Sequence, residues 1–354
     1  MCPTGPRTIT RPSGRSGSAR PAGGWDCART IWREVRQLDK KTYIGVDLGG
    51  TKLLIGEADR AGNILRQEKI PSGRLNQREA MALIEKGLDS FLAVRTPGCA
   101  VQAIGVGTVG RIDNRSGTWY EISPDRKETV EVSKLLGERY GLPCFVDNDV
   151  RSAAKAEMLF GRGRSSRDLI YINIGTGIAA GFVSGGRLIT GGHCNAGEVG
   201  HTSSGIDLKV SCECGRTDCV EPVASGMGID QCARLLAPDY PDTRLVIPAE
   251  GRVSAADVFR LYDEDPLCRV LTDNAAQAVA NLIMNLVRFN DPDTVILGGG
   301  VMSDGFLYNK VLERLNPYTI RYVTNGVVLT ALDPRYIGLL GACGNAIKGM
   351  EESL

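Results

Sequence analysis

The chain has 354 residues, of which 42% are hydrophobic and 23% charged, and its net charge is +1. A chain of this length is too long for one compact core, so two domains are expected. The near-neutral charge gives no argument for nucleic acid, a membrane surface or a strongly acidic molecule as a partner. No apolar run is long enough to span a bilayer. Residues 1–25 also lack the apolar core of a secretory signal, so we expect a cytoplasmic protein.

The N-terminal segment differs from the rest of the chain in composition. Residues 1–25 are rich in Pro, Gly, Ser, Thr and Arg, and such a segment buries too little apolar surface to offset the entropy of ordering it. Residues 28–40 could form a short helix, which cannot make a domain alone. We therefore interpret residues 1–41 as a disordered extension, with a mis-assigned start codon as the alternative.

Apolar runs and turn residues predict the elements of the first half of the folded part. Turn residues separate the first three strands, and the first helix has apolar residues at helical spacing. Strands are expected at residues 43–48, 53–58 and 64–70, a helix at 77–94, strands at 101–106 and 143–147, and a helix at 150–160.

The second half begins with the same order of elements. Strands are predicted at 169–174, 178–183 and 187–189, followed later by a helix at 273–290, a strand at 294–297 and a helix at 337–348. A repeated pattern of strand, glycine turn, strand, turn and strand indicates a duplicated α/β fold with a cleft between its halves. We expect a small domain at 42–150, a large domain at 151–336, and a final helix at 337–350 that packs back on the small domain.

Three glycine-rich turns follow predicted strands and are candidates for binding a nucleotide, the first two at its phosphates and the third at its adenine and ribose. Paired glycines let backbone N–H groups approach an anion closely, and an acidic residue at the strand end can hold Mg²⁺. An ordinary hairpin with an incidental Asp and Lys is the alternative for the first turn, and the other two turns are weak signals when taken alone. The candidate residues are Asp47, Gly49, Gly50, Thr51 and Lys52 in the first turn, Gly175, Thr176 and Gly177 in the second, and Gly298, Gly299 and Gly300 in the third.

Two common nucleotide motifs do not apply to this chain. No Walker A pattern occurs anywhere in the sequence. Residues 105–110 fit the spacing G-x-G-x-x-G, but they run into a polar, turn-rich segment instead of opening a helix. A dinucleotide site of the Rossmann type is therefore not expected.

The segment Asp147-Asn148-Asp149 ends a predicted strand just before a helix. A carboxylate within reach of a sugar hydroxyl can accept its proton as the oxygen attacks phosphorus. Helix capping is the alternative, because Asn and Asp are both favoured there.

One histidine and three cysteines have the composition of a structural zinc site. Cys212, Cys214 and Cys219 follow His201, and three thiolates with an imidazole form a tetrahedral ligand set. Free cysteines beside a chance histidine are the alternative. Other cysteines lie singly among apolar residues and are expected in the core: Cys99, Cys144, Cys232, Cys268 and Cys343.

Two carboxylates flank the predicted zinc-binding loop at 198–221. Glu198 precedes His201 by three residues and Glu221 follows Cys219 by two. A metal that orders this loop would also orient both carboxylates toward sugar hydroxyls. As surface charges they would need no explanation.

Taken together, these segments resemble the ROK family of sugar kinases and sugar-responsive repressors over residues 42–350. The segments are Asp47–Lys52, Asn148-Asp149, Gly197–His201, Cys212–Cys219 and Ile296–Val301. The resemblance implies an actin-like (ribonuclease H-like) ATPase fold, with two α/β domains around a central cleft. It implies Asp149 as the catalytic base, and sugar contacts from Asn148, Asp149, Glu198, His201 and Glu221.

The resemblance also implies that the three glycine turns bind ATP with Mg²⁺, that His201 and the three cysteines hold zinc, and that the protein is a homodimer. Repressor members carry an N-terminal helix-turn-helix domain, whereas the segment before Thr42 shows no paired amphipathic helices. We therefore favour the kinase branch, with no nucleic-acid partner.

Two departures from the family pattern bear on the choice of sugar. Thr108-Val-Gly110 stands where the family has Pro-Gly, and Pro124-Asp125-Arg126 where it has Pro-Asn-Leu followed by Trp. We expect ATP-dependent phosphorylation of glucose to glucose 6-phosphate. The alternatives are an N-acyl amino sugar, mannose or fructose as acceptor, or a non-catalytic sugar-sensing regulator.

Overall fold

The computed structural model describes residues 40–94, 96–123 and 125–353. Residues 1–39 of the predicted extension, and Pro124 of the second departure, lie outside the described residues. The first strand already begins at Lys40, two residues before the predicted start of the folded part. None of the described helices is both long enough and apolar enough to cross a bilayer.

Five strands form the first sheet, in the order β3-β2-β1-β4-β8. Antiparallel hairpins join β1, β2 and β3, whereas β4 and β8 lie parallel to β1. The strands are β1 (Lys40–Leu48), β2 (Lys52–Asp59), β3 (Ile64–Pro71), β4 (Cys99–Thr108) and β8 (Cys144–Asn148).

The second sheet repeats this arrangement, in the order β11-β10-β9-β12-β13. Its first three strands are again antiparallel and its last two parallel to the first. The strands are β9 (Leu169–Ile174), β10 (Ile178–Ser184), β11 (Arg187–Leu188), β12 (Thr294–Gly298) and β13 (Val327–Leu329). The repeated order is the physical counterpart of the duplicated pattern in the sequence.

A third, antiparallel sheet was not predicted. It consists of β5 (Arg111–Asp113), β6 (Thr118–Ser123) and β7 (Arg126–Val130). Its strands are short and half-buried, so they lack the strong apolar alternation that identifies a strand in sequence.

Nine helices are present in the described part of the chain. The predicted helices at 77–94, 150–160 and 337–348 are found with ends that differ from the expected ones by at most four residues. The helix predicted at 273–290 begins earlier, at Pro266, because Asp265 caps it by accepting a hydrogen bond from the Cys268 N–H. The helices are α1 (Gln77–Ala93), α2 (Val132–Tyr140), α3 (Asp149–Phe160), α4 (Glu221–Ala224), α5 (Gly226–Leu236), α6 (Ala255–Arg260), α7 (Pro266–Asn290), α8 (Phe306–Leu312) and α9 (Ile337–Glu352).

The last helix returns to the first sheet. In α9, Cys343, Ala346 and Ile347 pack in one buried cluster with Tyr43 and other residues of that sheet. Gly105, the first glycine of the G-x-G-x-x-G segment, lies so close to the α9 backbone that a Cβ atom would clash with the Ala342 carbonyl. Gly105 therefore serves close packing of a strand against a helix.

Four of the five singly placed cysteines lie in the core, as predicted. Cys144, Cys232, Cys268 and Cys343 are buried, whereas Cys99 is only half-buried. Cys99 differs because it is the first residue of β4, at the sheet margin where packing is incomplete.

Candidate active site

The first glycine hairpin joins β1 to β2 and has Asp47 beside it. The Gly49 N–H donates to the Lys52 carbonyl at 2.9 Å, which closes a tight turn. No heavy atom lies within 4 Å of the position that a Cβ atom would take at Gly50, so the tip of the turn faces open space. Such a turn leaves its backbone N–H groups accessible to an anion.

The Asp47 carboxylate lies against the N-terminus of α9, where a Cβ atom at Gly338 would clash with it. Burial and the nearby charge of Asp149 raise the pKa of Asp47 to about 6, against the opposing charge of Lys52. The two carboxylates are therefore electrostatic neighbours across the base of the cleft. Paired carboxylates of this kind are the oxygen ligands that Mg²⁺ prefers, so the residues fit the expected ion.

Asp149 is the first residue of α3, directly after β8. One carboxylate oxygen, Oδ1, accepts a 3.0 Å hydrogen bond from the Val150 N–H. Burial raises the pKa of Asp149, although the Val150 N–H and the charge of Arg151 oppose this. The side chain is therefore a stronger base than an ordinary aspartate and is fixed at the end of a rigid strand.

Asn148 serves as the N-cap of α3. Its Oδ1 accepts from the backbone N–H groups of Val150 and Arg151 at 2.9 and 3.2 Å, and its Nδ2 donates to the Gly110 carbonyl at 3.1 Å. The capping interpretation thus holds for Asn148. Only one N–H of its amide is left for a sugar hydroxyl.

Glu198 and Glu221 are electrostatic neighbours, and Glu221 lies at the second glycine hairpin. The side chain of Glu198 is 50% exposed, and its pKa is raised by partial burial and by the charges of Glu221 and Asp149, against His201. Glu221 accepts a 2.7 Å hydrogen bond from the Ile178 N–H, just after that hairpin. The structure therefore brings Asp149, Glu198 and Glu221 into one acidic cleft.

The zinc-ligand candidates are brought together by pairing of two loop segments. The Val220 N–H donates to the Thr202 carbonyl and the Ser204 N–H to the Asp218 carbonyl, at 3.0 and 2.7 Å. A turn over residues 212–216, with Gly215 at a φ of +87°, then folds Cys212 and Cys214 over the same point.

The geometry of these four side chains fits zinc. Their ligand atoms all lie within 4.8 Å of one another. Nδ1 of His201 is 3.2 Å from Sγ of Cys212, and Sγ of Cys214 is 3.5 Å from Sγ of Cys219. A tetrahedral ion with Zn–S bonds of about 2.3 Å needs sulfur atoms roughly 3.8 Å apart, close to this spacing. Nε2 of His201 faces the other way, 3.9 Å from Oε2 of Glu198.

The second and third glycine turns share a cavity of about 470 Å³. Gly175, Thr176 and Gly300 line it, together with Gly226 and residues 252–256, which the sequence did not indicate. Gly298 and Gly299 do not line the cavity. Gly299 has a φ of +93°, and a Cβ atom there would clash with the Ile174 carbonyl, so it allows the turn to form.

Three charged residues near Asp149 form an ion-paired group that was not predicted from the sequence. Asp147 is fully buried and pairs with Arg151 at 2.6 Å and Lys155 at 2.7 Å. Arg151 also donates to the carbonyls of Ile112 and Cys194 at 2.7 and 2.9 Å. The available signal was the spacing of four residues between Arg151 and Lys155 on a predicted helix, since such residues share one helix face.

The two departures from the family pattern lie near the third sheet. Asp125 is exposed, and its Oδ1 accepts a 2.6 Å hydrogen bond from the Ser123 hydroxyl. Thr108 ends β4 fully buried, and its hydroxyl has no hydrogen-bond partner among the described residues. Neither side chain touches the zinc-binding loop through a hydrogen bond found in the described chain.

Known proteins resemble this chain over most of its length. A family model described as the ROK family matches residues 43–347. The chain is 30% identical over 298 residues to a glucokinase of Halalkalibacterium halodurans, covering 82% of this chain and 89% of the relative. It is also 30% identical over 275 residues to an N-acetylmannosamine kinase of Escherichia coli O157:H7, covering 75% of this chain and 86% of the relative.

A similar solved structure is a ROK family glucokinase from Streptomyces griseus in complex with glucose and AMPPNP. Its TM-score is 0.69 at 26% identity, and the match covers 87% of this chain and 100% of that one. These similarities and the duplicated sheet order confirm the predicted actin-like α/β fold.

Proposed function

We propose that this chain, which belongs to the ROK family, transfers the γ-phosphoryl group of ATP to the 6-hydroxyl of glucose. The observation that supports this most directly is the position of Asp149. Its carboxylate has a raised pKa and is electrostatically coupled both to Asp47 beside the first hairpin and to Glu198 beside the predicted zinc site. Sugar phosphorylation requires a base between the residues that bind the phosphates and those that bind the sugar hydroxyls.

In the proposed mechanism, Asp149 accepts the proton of the sugar hydroxyl as its oxygen forms a bond to the γ-phosphorus. The bond from that phosphorus to the bridging oxygen of ADP breaks in the same displacement. Bound Mg²⁺ would neutralise charge on the phosphates, and Asp47 is the carboxylate placed to hold it. The backbone N–H groups of the two hairpins orient the phosphates from opposite walls of the cleft.

The zinc-binding loop is proposed to form the sugar-recognition wall. Zinc held by His201, Cys212, Cys214 and Cys219 would supply rigidity only, because four protein ligands close its coordination. Nε2 of His201 and the carboxylates of Glu198 and Glu221 are then the groups available to sugar hydroxyls. The proposed contact from Asn148 is restricted to the one amide N–H that its capping role leaves free.

An Asp149→Asn variant tests the mechanism. We expect kcat to fall at least about 100-fold, the usual effect of losing a general base, while glucose binding measured by calorimetry changes little. Asp242→Asn is the matched control, because Asp242 is an exposed surface carboxylate. Full activity in the Asp149 variant would refute the mechanism.

The choice of sugar is tested by a coupled assay of ADP release. The acceptors to compare are glucose, mannose, fructose, N-acetylglucosamine and N-acetylmannosamine, and we expect the highest kcat/KM with glucose. The similarity to an N-acetylmannosamine kinase makes an N-acyl amino sugar the second candidate. The absence of turnover with every sugar, together with operator-DNA binding, would favour a sugar-sensing regulator. The homodimer stays a prediction, which light scattering would test.

A further inference from the structure

We propose that a second, cationic cavity, separate from the catalytic cleft, binds a small phosphorylated metabolite. The cavity has a volume of about 640 Å³ and lies between β8, the C-terminal end of α9 and the β10–β11 hairpin. It shares no lining residue with the nucleotide cavity or with the predicted site residues. Its volume is in the range of small-molecule sites, roughly 300–1,000 Å³.

The lining of this cavity is strongly positive. Among the described residues, four cationic side chains and one carboxylate, that of Glu352, line it; the cations are Arg115, Lys155, Arg187 and Lys348. Arg187 forms no ion pair within the described ranges of the chain, and Lys348 is paired only with Glu351, at 3.0 Å. Arg115 pairs with Asp113 at 3.5 Å and Lys155 with Asp147 at 2.7 Å. An anion therefore finds the unpaired guanidinium of Arg187 beside three cations whose charge is offset only in part by carboxylates.

Lys155 is built into the cavity wall and is not a mobile surface lysine. Its side chain is only 12% exposed. The ammonium donates to Oδ2 of Asp147 at 2.7 Å and to Oδ1 of Asn345 at 2.9 Å. Because an ammonium carries three N–H donors, one remains for a ligand. Oδ1 of Asn114, which also lines the cavity, is buried with no partner among the described residues.

The mixture of groups indicates the class of ligand. Arginine and lysine together suit the oxygens of a phosphate group. Phe145, Met158 and Leu188 add apolar surface to the same cavity, which suits the carbon skeleton of an organic phosphate better than a bare ion. Residues from both large sheets contribute, so a bound ligand would bridge the two halves of the molecule. The inference does not depend on which sugar the catalytic cleft accepts.

Calorimetry on the full-length protein, saturated with glucose and AMPPNP, tests the proposal, because the filled cleft then cannot take up the probes. The probes are glycerol 3-phosphate, as an organic phosphate, and pyrophosphate, as a bare polyanion. We expect glycerol 3-phosphate to bind at millimolar or lower concentration. Binding should be at least about tenfold weaker in the double variant Arg187→Gln/Lys348→Gln, since each lost charge-assisted hydrogen bond removes about that factor.

The matched control is the double variant Lys86→Gln/Arg288→Gln, which removes two exposed cations outside the cavity. It should bind the probe like the wild type. The proposal is overturned if glycerol 3-phosphate does not bind the saturated protein, if the two double variants bind it equally well, or if pyrophosphate alone binds.

Discussion

At the scale of single residues, the candidate site depends on buried carboxylates, whose ionised form is destabilised by the loss of solvation. Asp47 and Asp149 lie near each other in a partly desolvated cleft, and burial raises the pKa of both. Asp59, in contrast, has a pKa below its ordinary value, because hydrogen bonds from Asn63 and Ala61 and the ammonium of Lys40 outweigh the effect of burial. The ionised carboxylates of Asp47 and Asp149 therefore lower the free energy of unfolding at neutral pH, whereas that of Asp59 raises it.

An Asp47→Asn variant should therefore be more stable than the wild type but inactive. In the absence of ligands at pH 7, we expect the free energy of unfolding to rise by about 1–3 kcal/mol, because an ionised, disfavoured carboxylate is removed. The folded-state pKa of about 6 exceeds the ordinary value of 3.8, so this gain should shrink as the pH falls from 6 toward 3.8. Denaturant unfolding across this range and a kinase assay measure both effects.

Asp59→Asn is the control, for which we expect the opposite change in the free energy of unfolding. Its depressed pKa means that the wild-type carboxylate stabilises the protein above the ordinary pKa of 3.8. This variant should lose stability at pH 7 and keep its kinase activity. A destabilised Asp47→Asn protein would show that the Asp47 carboxylate is favourably solvated, contrary to the structure.

At the scale of elements, two glycine hairpins and one loop shape the cleft. The hairpins need only local sequence, because strand, turn and strand are contiguous in the chain. The loop at 198–221 has little regular structure, and its order depends on pairing of residues 202–204 with 218–220 and on the Cys/His cluster. A loop with so little regular structure is expected to depend on metal for its order.

A Cys214→Ser variant tests this dependence. The purified wild type should contain about one zinc ion per chain, and the variant should lose it, as measured by elemental analysis. Limited proteolysis should then cut within residues 198–221, and KM for the sugar should rise because Glu198 and His201 are no longer oriented. Cys99→Ser, outside the cluster, should retain zinc. A wild-type protein free of zinc would refute the assignment.

At the scale of the whole molecule, two similar sheets are joined through α3. This helix follows β8 of the first sheet and packs on β9 and β10 of the second. Its buried Arg151 contacts Asp147 in the first sheet, the Ile112 carbonyl in the third, and the Cys194 carbonyl in the loop after β11. Asp149, the proposed catalytic base, is the first residue of this connecting helix. A relative movement of the two halves can therefore change the position of its carboxylate.

An Arg151→Met variant should lose about 3 kcal/mol of stability, because it leaves the buried Asp147 with one cationic partner and two carbonyls without a donor. Denaturant unfolding measures the loss. The control Arg335→Met breaks an exposed ion pair and should change stability by less than about 1 kcal/mol. Equal effects of the two substitutions would mean that Arg151 does not join the halves as described.

Much of this architecture follows from sequence, because its determinants are local. Apolar spacing and glycine turns predicted the repeated strands of a duplicated α/β fold, and the family resemblance implied its actin-like class. Both are confirmed by the sheet order and the ROK relatives. The Cys/His cluster was visible because its ligands lie within nineteen residues, 201–219. The grouping of Asp149, Glu198 and Glu221 required the resemblance to a family, since no local pattern relates them.

Tertiary structure alone decided the features that depend on distant residues. Lys155 becomes part of the second cavity because Asn345, 190 positions away, accepts from it. Gly105 packs against α9, and Asn148 has most of its amide occupied by a cap and by Gly110. The third sheet escaped prediction because its short, half-buried strands have little apolar periodicity. Hydrophobic period and turn chemistry are properties of neighbours in the chain, whereas the partner of a buried polar group is set by sheet register and helix packing.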